Sequence, residues 1–113
     1  MHELSIMQSA LTQALEEARK AGASRVNEIR LRIGALSGVV PEALQFAFQA
    51  LADGTLAAQG RLTIEHVPAR FWCAKCAREF EAANLFSECP QCKTPSQELR
   101  AGRELELASM EID

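Results

Sequence analysis

The sequence predicts an α+β fold, in which a small three-stranded sheet carries two helices on one face and a four-cysteine, zinc-ribbon-like module is inserted. Three observations predict this fold. Two segments repeat apolar residues at the period of a helix, and three segments show the short apolar alternation of strands. Two Cys-x-x-Cys pairs lie between the second and the third of these strands.

The first helix is predicted from Leu4 to Arg19. Apolar side chains recur along it every three or four residues, at Leu4, Met7, Leu11, Leu15 and Ala18. Gly22 marks its end, because glycine readily adopts the backbone conformation that follows a helix. The second helix begins at Pro41, since proline lacks only an amide that would be unpaired in a first turn. It ends at Asp53 and Gly54.

Three strands are predicted from apolar residues in alternation. The first covers residues 29–33, where apolar side chains alternate with two arginines, as in a half-buried strand. The second runs from Leu62 to Pro68, and the last begins at Leu105. Residues 95–102 are expected to form a polar linker. The strands before and after the cysteine module are expected to pair as neighbours, since the module is then an excursion from one sheet edge.

These elements predict a discontinuous main domain. Residues 1–67 and 95–113 would form an α/β domain, and residues 68–94 would form the zinc-binding module. The chain has 12 Lys and Arg against 15 Asp and Glu, a formal charge of −3. This balance argues against nucleic acid or an anionic membrane surface as a partner. The first residues lack a basic segment followed by an apolar run, so the protein is expected to be cytoplasmic.

The cysteines are the most specific motif of the chain. They form two Cys-x-x-Cys pairs twelve residues apart, namely Cys73, Cys76, Cys89 and Cys92. This spacing predicts a structural, tetrahedral zinc site, because thiolates suit Zn²⁺ and cytosolic chains seldom form disulfides. A redox pair would need a strand and a helix flanking one pair, and a catalytic zinc would keep an open position. Neither alternative fits four cysteines in this arrangement.

Two further features surround the cysteines. Aromatic residues cluster there, at Phe71, Trp72, Phe80 and Phe86. A module this small cannot bury a core of its own, so metal and aromatic side chains together must stabilise it. Ala77 and Lys93 follow the two pairs, where zinc-binding turns often carry glycine, and strained turns are therefore expected.

The amino terminus is the second informative place. A residue as bulky as His2 disfavours removal of the initiator methionine, so Met1 is expected to carry a free α-amine. That amine, the deprotonated His2 amide and the His2 imidazole can form consecutive chelate rings in one plane, the geometry that Ni²⁺ or Cu²⁺ favours. The fourth donor would be Glu3 or His66. Taken alone, a histidine at position 2 is more often an ordinary exposed residue.

The chain resembles the HypA/HybF family of nickel metallochaperones. The resemblance covers essentially the whole sequence. Its main segments are residues 1–6 (Met-His-Glu-Leu-Ser-Ile), 33–37 (Ile-Gly-Ala-Leu-Ser), 40–44 (Val-Pro-Glu-Ala-Leu) and 102–105 (Gly-Arg-Glu-Leu). The double Cys-x-x-Cys lies at the family's position between them. The opening and the cysteine spacing together are highly specific.

The resemblance implies a protein with no catalysis of its own. It would bind Ni²⁺ through His2, the Met1 amine and Glu3, hold a structural Zn²⁺, and deliver nickel during maturation of [NiFe] hydrogenase. The implied partners are the HypB GTPase and the precursor of the hydrogenase large subunit, with the chain as monomer or homodimer. Some relatives also serve urease. The alternative is a zinc-ribbon interaction module of a transcription or translation assembly, which would explain the cysteines but not the amino terminus.

Overall fold

The computed structural model describes residues 3–82 and 88–113. Its helices are α1 (Glu3–Lys20) and α2 (Pro41–Ala52), and its strands are β1 (Val26–Gly34), β2 (Arg61–Val67), β3 (Ala69–Cys73), β4 (Arg78–Ala82), β5 (Leu99–Ala101) and β6 (Leu105–Ile112). The strands form two three-stranded sheets, in the orders β2-β1-β6 and β4-β3-β5. The α+β prediction of two helices, a small sheet and an inserted four-cysteine module is confirmed.

The chain divides into two compact units. Unit 1 comprises Met1–Arg32, Val39–Glu65 and Glu106–Asp113, and unit 2 comprises Ile33–Gly38 and His66–Leu105. Unit 1 therefore contains both helices, and unit 2 contains all four cysteines. None of the helices in the described part of the chain has the length and apolar character that crossing a bilayer requires.

The core of unit 1 lies between the two helices and one face of the first sheet. Each helix buries one apolar stripe, and the sheet buries the alternate side chains of β1, so that the core includes Met7, Leu11, Ala14, Ala18, Leu44, Phe48, Val26, Ile29 and Leu31. The side-chain Nε2 of Gln45 in α2 donates a hydrogen bond to the backbone carbonyl of Leu62 in β2 at 2.8 Å. These burial patterns agree with the prediction that both helices cover one face of the sheet.

The expected pairing of the strands on either side of the module is wrong, because β1 lies between β2 and β6. On the open face of the sheet, Arg32 of β1 binds Glu65 of β2 at 2.7 Å and Glu106 of β6 at 2.8 Å. The Arg32 guanidinium can reach a carboxylate on each neighbouring strand because β1 is the central strand of the sheet. The carboxylate of Glu28, also on β1, accepts from the Thr63 hydroxyl, and this hydrogen bond lowers its pKa.

The sheet of unit 2 is built on a hairpin. Strands β3 and β4 pair antiparallel, with Phe71 opposite Phe80 and Cys73 opposite Arg78. The expectation of a polar linker over residues 95–102 is wrong for Leu99–Ala101, which form β5 and pair antiparallel with β3. The reason is Leu99, whose side chain packs against the buried cluster of β3 and β4 and makes strand pairing favourable.

Two glycines let the backbone segments of unit 2 approach closely. A β-carbon on Gly34 would lie 2.1 Å from the carbonyl oxygen of Gly102. Gly102 has a φ of 126°, which side chains rarely adopt. The close approach allows the Leu36 amide to donate to the Gly102 carbonyl at 2.6 Å. A side chain at either position would therefore clash or strain the backbone, which explains the two glycines.

Candidate metal centre

The first cysteine pair sits in the turn of the β3–β4 hairpin. Cys73 is the last residue of β3, and its side chain is buried. The chain turns over residues 74–77 before β4 begins at Arg78. Within this turn the Cys76 amide donates to the Cys73 sulfur at 3.4 Å. The turn thus directs both sulfur atoms to the same side, as a two-residue spacing requires.

The second cysteine pair occupies a similar turn. Glu88 and Pro95 form an antiparallel bridge that closes it. Inside the bridge, the Cys89 amide donates to the Thr94 carbonyl at 3.0 Å and the Lys93 amide donates to the Cys89 carbonyl at 2.9 Å. These bonds hold Cys89 buried and Cys92 partly exposed. The sequence predicted the position of this turn but not its closing bridge.

The four sulfur atoms form a compact cluster. All of them lie within 4.8 Å of one another. The Sγ atoms of Cys73 and Cys92 are 3.5 Å apart, and those of Cys89 and Cys76 are 3.8 Å apart. Four thiolates at the usual zinc–sulfur length of ~2.3 Å define a tetrahedron with edges of about 3.8 Å. The two measured distances lie close to that edge, and the 4.8 Å limit on the others keeps all four sulfur atoms within reach of one tetrahedral Zn²⁺.

Aromatic and apolar side chains support this cluster. Phe71 and Phe80 stack with ring centroids 6.0 Å apart, and they are buried with Ala69, Cys73 and Cys89. Two of these five buried residues are candidate ligands, so the core of unit 2 is incomplete without its sulfur atoms. The other aromatics differ. The guanidinium carbon of Arg100 lies over the Trp72 ring, 4.6 Å from its centroid, in a cation–π contact. Phe86 lies outside the described residues.

Hydrogen bonds shift the pKa values of Cys76, Cys89 and Cys92 in different directions. The hydroxyl and the backbone amide of Thr94 lower the pKa of the Cys92 thiol to about 6. The amides of Cys92 and Gln91 also lower the pKa of Cys89. By contrast, the hydrogen bond between Cys76 and Cys92, together with burial, raises the pKa of Cys76 to about 12. A metal ion that binds here must displace the proton of Cys76. Sequence analysis missed the role of Thr94.

Both turns end in a left-handed residue that is not glycine. Ala77 has a φ of 55° and Lys93 a φ of 61°. These are the positions at which sequence analysis expected strain. A β-carbon in this conformation costs about 1–2 kcal/mol.

Replacing Lys93 by Gly should stabilise the second turn. The relief of strain exceeds the added entropy of the unfolded chain, and we expect a net gain of about 0.5–1 kcal/mol. Chelator competition at equilibrium measures it as tighter zinc retention. Lys93→Ala is the matched control, because it removes the same charge but keeps the β-carbon. Equal gains for Gly and Ala would assign the effect to charge instead of backbone strain.

The amino-terminal candidates are described only in part. Met1 and His2 lie outside the described residues. Glu3 begins α1, and its carboxylate accepts from the Val40 amide, just before α2, at 3.2 Å. His66 is exposed on β2. Within residues 3–82 and 88–113, the four cysteines are the one group of three or more potential ligands close enough to share a metal ion.

Comparison with known sequences places the amino terminus and the cysteine cluster in the same family match. Residues 1–112 match a family model described as "Hydrogenase/urease nickel incorporation, metallochaperone, hypA". The chain is 48% identical over 112 residues to hydrogenase maturation factor HypA of Picosynechococcus sp., with 99% of each chain covered. It is 42% identical over 113 residues to the factor of the same name from Methylocella silvestris, over 100% of both chains.

Solved structures share the fold. The solution structure of the Ni metallochaperone HypA from Helicobacter pylori superposes with a TM-score of 0.67 at 24% identity, covering 99% of this chain and 97% of that one. A second solution structure of a HypA protein gives a TM-score of 0.71 at 24% identity, with 99% and 96% covered. The match over residues 1–112 and relatives of up to 48% identity show that this chain belongs to the HypA family of hydrogenase maturation nickel metallochaperones.

Proposed function

We propose that this chain binds Ni²⁺ at its amino terminus, through the Met1 amine, His2 and Glu3, and delivers it during maturation of [NiFe] hydrogenase. The observation that carries the proposal is the family match over residues 1–112, which begins with the Met-His-Glu opening. The partners would be the HypB GTPase and the precursor of the large subunit. Urease is a second possible recipient of the nickel, because the family description names it.

The chemistry of the chain end supports a nickel site. Amine, deprotonated amide and imidazole supply three nitrogen donors in one plane, which suits square-planar Ni²⁺. Met1 and His2 precede α1 in sequence, and Glu3 is the first residue of this helix of 18 residues. The positive end of a helix dipole stabilises nearby anions by about 0.3–1 kcal/mol. It therefore favours an anionic ligand set, namely a deprotonated amide and the Glu3 carboxylate.

The fourth donor would come from Glu3, from His66 or from a partner protein. Glu3 is the donor nearest to His2 in sequence, and its hydrogen bond with Val40 ties its carboxylate to the start of α2. Cargo binding would then be supported by both helices of unit 1.

The zinc module has a separate role in this proposal. Four thiolates complete the coordination of Zn²⁺ and leave no position for a substrate, so the zinc would be structural. As the family resemblance implies, the protein would carry nickel and catalyse no reaction of its own. The sequence has no glycine-rich phosphate loop, and GTP hydrolysis would belong to the partner. Residues 1–67 and 95–113 would carry nickel, and residues 68–94 would hold zinc.

A nickel titration of the zinc-loaded chain with its native amino terminus tests the proposal. We expect about one added Ni²⁺ and one Zn²⁺ per chain. Acidification should release nickel before zinc, because protons compete for an imidazole with a pKa of about 6.5 and for the amide nitrogen. Calorimetry at several pH values, with both metals quantified, measures this. Nickel binding that is unchanged down to about pH 5 would contradict a site of amine, amide and imidazole.

A further inference from the structure

An apolar groove runs between the two helices of unit 1. It is lined by Glu3, Leu4, Ala43, Phe46, Ala47 and Ala50, and we call it the α1–α2 groove. Leu4 is 55% exposed and Phe46 is 77% exposed on its two sides. The alanine side chains between them are short, so the groove can admit a large apolar side chain from outside.

The exposure of Phe46 is costly for an isolated protein. Helix α2 buries its opposite face, with Leu44 and Phe48 in the core. Phe46 points away from that core and forgoes the roughly 1.5–3 kcal/mol that burial of such a side chain provides. Clustered apolar side chains on a surface mark contact sites, and aromatic residues dominate their energetics. Phe46 is the natural anchor of such a contact.

The charge around the groove selects the kind of partner. No lysine or arginine precedes Arg19, and none lies between Arg32 and Arg61. Two exposed acidic residues, Glu42 and Asp53, bracket Phe46 along the chain. The surface is therefore apolar and acidic. It complements a basic partner, whereas a second copy of the groove or an anionic membrane would be repelled.

Two arginines of unit 1 are engaged on the sheet and do not neutralise this surface. Arg32 pairs with Glu65 and Glu106 on the open face of the sheet. On the same sheet, Arg61 lies 3.3 Å from a carboxylate oxygen of Glu28. Neither arginine therefore pairs with the acidic Glu42 or Asp53 in these contacts.

We propose that the α1–α2 groove receives an amphipathic helix of a partner protein, with large apolar side chains facing Phe46 and with Lys or Arg flanking them. A helix fits better than a strand, because the described residues that line the groove are all helical and none of them belongs to a sheet edge that could offer backbone hydrogen bonds. The inference rests on the proposed function, since Glu3, one of the proposed nickel donors, lines the groove.

The test uses purified HypB GTPase and purified hydrogenase large-subunit precursor as separate probes of the nickel-free, zinc-loaded chain. We expect Phe46→Ser to weaken binding of one of them at least tenfold. Charge reversal at Glu42 and Asp53 should also weaken it, and added salt should weaken wild-type binding. Leu56→Ser is the matched control, because Leu56 is 38% exposed but does not line the groove. Amide chemical shifts of the labelled chain locate the contact.

Several outcomes would overturn the inference. The first is that the Phe46→Ser variant binds both probes as tightly as the wild-type chain does. The second is that neither probe binds the wild-type chain. Self-association that is lost in Phe46→Ser would make the groove a contact between two copies instead. Nickel is titrated separately into the wild-type chain and Phe46→Ser. A chain that docks its partner at the groove but binds no nickel would refute the proposed nickel site and leave the groove assignment intact.

Discussion

Replacing Cys76 by Ser should release zinc and unfold residues 70–94, while both helices of unit 1 stay folded. An alcohol is a much poorer zinc ligand than a thiolate, and structural zinc in small modules contributes on the order of 10 kcal/mol. The buried cluster of unit 2 cannot compensate, because Cys73 and Cys89 are two of its five members. The helices survive because their apolar stripes pack within unit 1.

Zinc content and amide spectra of the variant measure this effect. Ala74→Ser is the matched control, because it introduces the same hydroxyl into the same turn at an exposed position and leaves every sulfur in place. The control should keep one zinc and the native spectrum. If Cys76→Ser retains stoichiometric zinc and the β3–β4 hairpin, the four-cysteine site is wrong.

The helices could be predicted closely from the sequence because their signals are local. The apolar period predicted Leu4 to Arg19, and α1 spans Glu3–Lys20. The start of α2 at Pro41 agrees with the prediction, since the constraint that proline imposes acts on its own backbone. Such signals depend only on residues within a turn or two of each other.

The order of the strands could not be predicted, because alternation determines which face is buried but not which strand lies next to which. The central position of β1 agrees with contacts across the sheet, such as the bonds from Arg32 to Glu65 and Glu106. Strand β5 was missed for a related reason. Its three residues become a strand only because Leu99 meets the buried cluster around β3.

The cysteine cluster was predictable, since spacing alone restricts where four sulfur atoms can meet. Its tuning was not. The low pKa of Cys92 depends on the hydroxyl and amide of Thr94, and a threonine two residues after a cysteine carries no signal of that contact in sequence. The nickel site was inferred from donor chemistry and family resemblance. It stays a prediction, because Met1 and His2 lie outside the described residues.

A Gly-Ser extension ahead of Met1 should weaken nickel binding more than about a hundredfold and leave zinc content unchanged. The extension keeps His2, Glu3 and the four cysteines, but it converts the primary amine of Met1 into an amide. That nitrogen no longer closes the first chelate ring as a neutral donor. Changes outside the coordination sphere already cost about 10- to 100-fold in metal affinity, so loss of a ligand should cost more.

The matched control carries the same Gly-Ser addition after Asp113, where it leaves the amino terminus free. Its nickel affinity should equal that of the native chain. His2→Ala should reproduce the loss by removing the imidazole, and His66→Ala should have a smaller effect unless His66 is the fourth donor. Calorimetric nickel titrations of these forms, with zinc quantified in parallel, separate the cases. Equal affinity of the native and the amino-terminally extended chains would place nickel at another site, around His66 or the cysteines, because only the native chain carries its primary amine on Met1, next to His2.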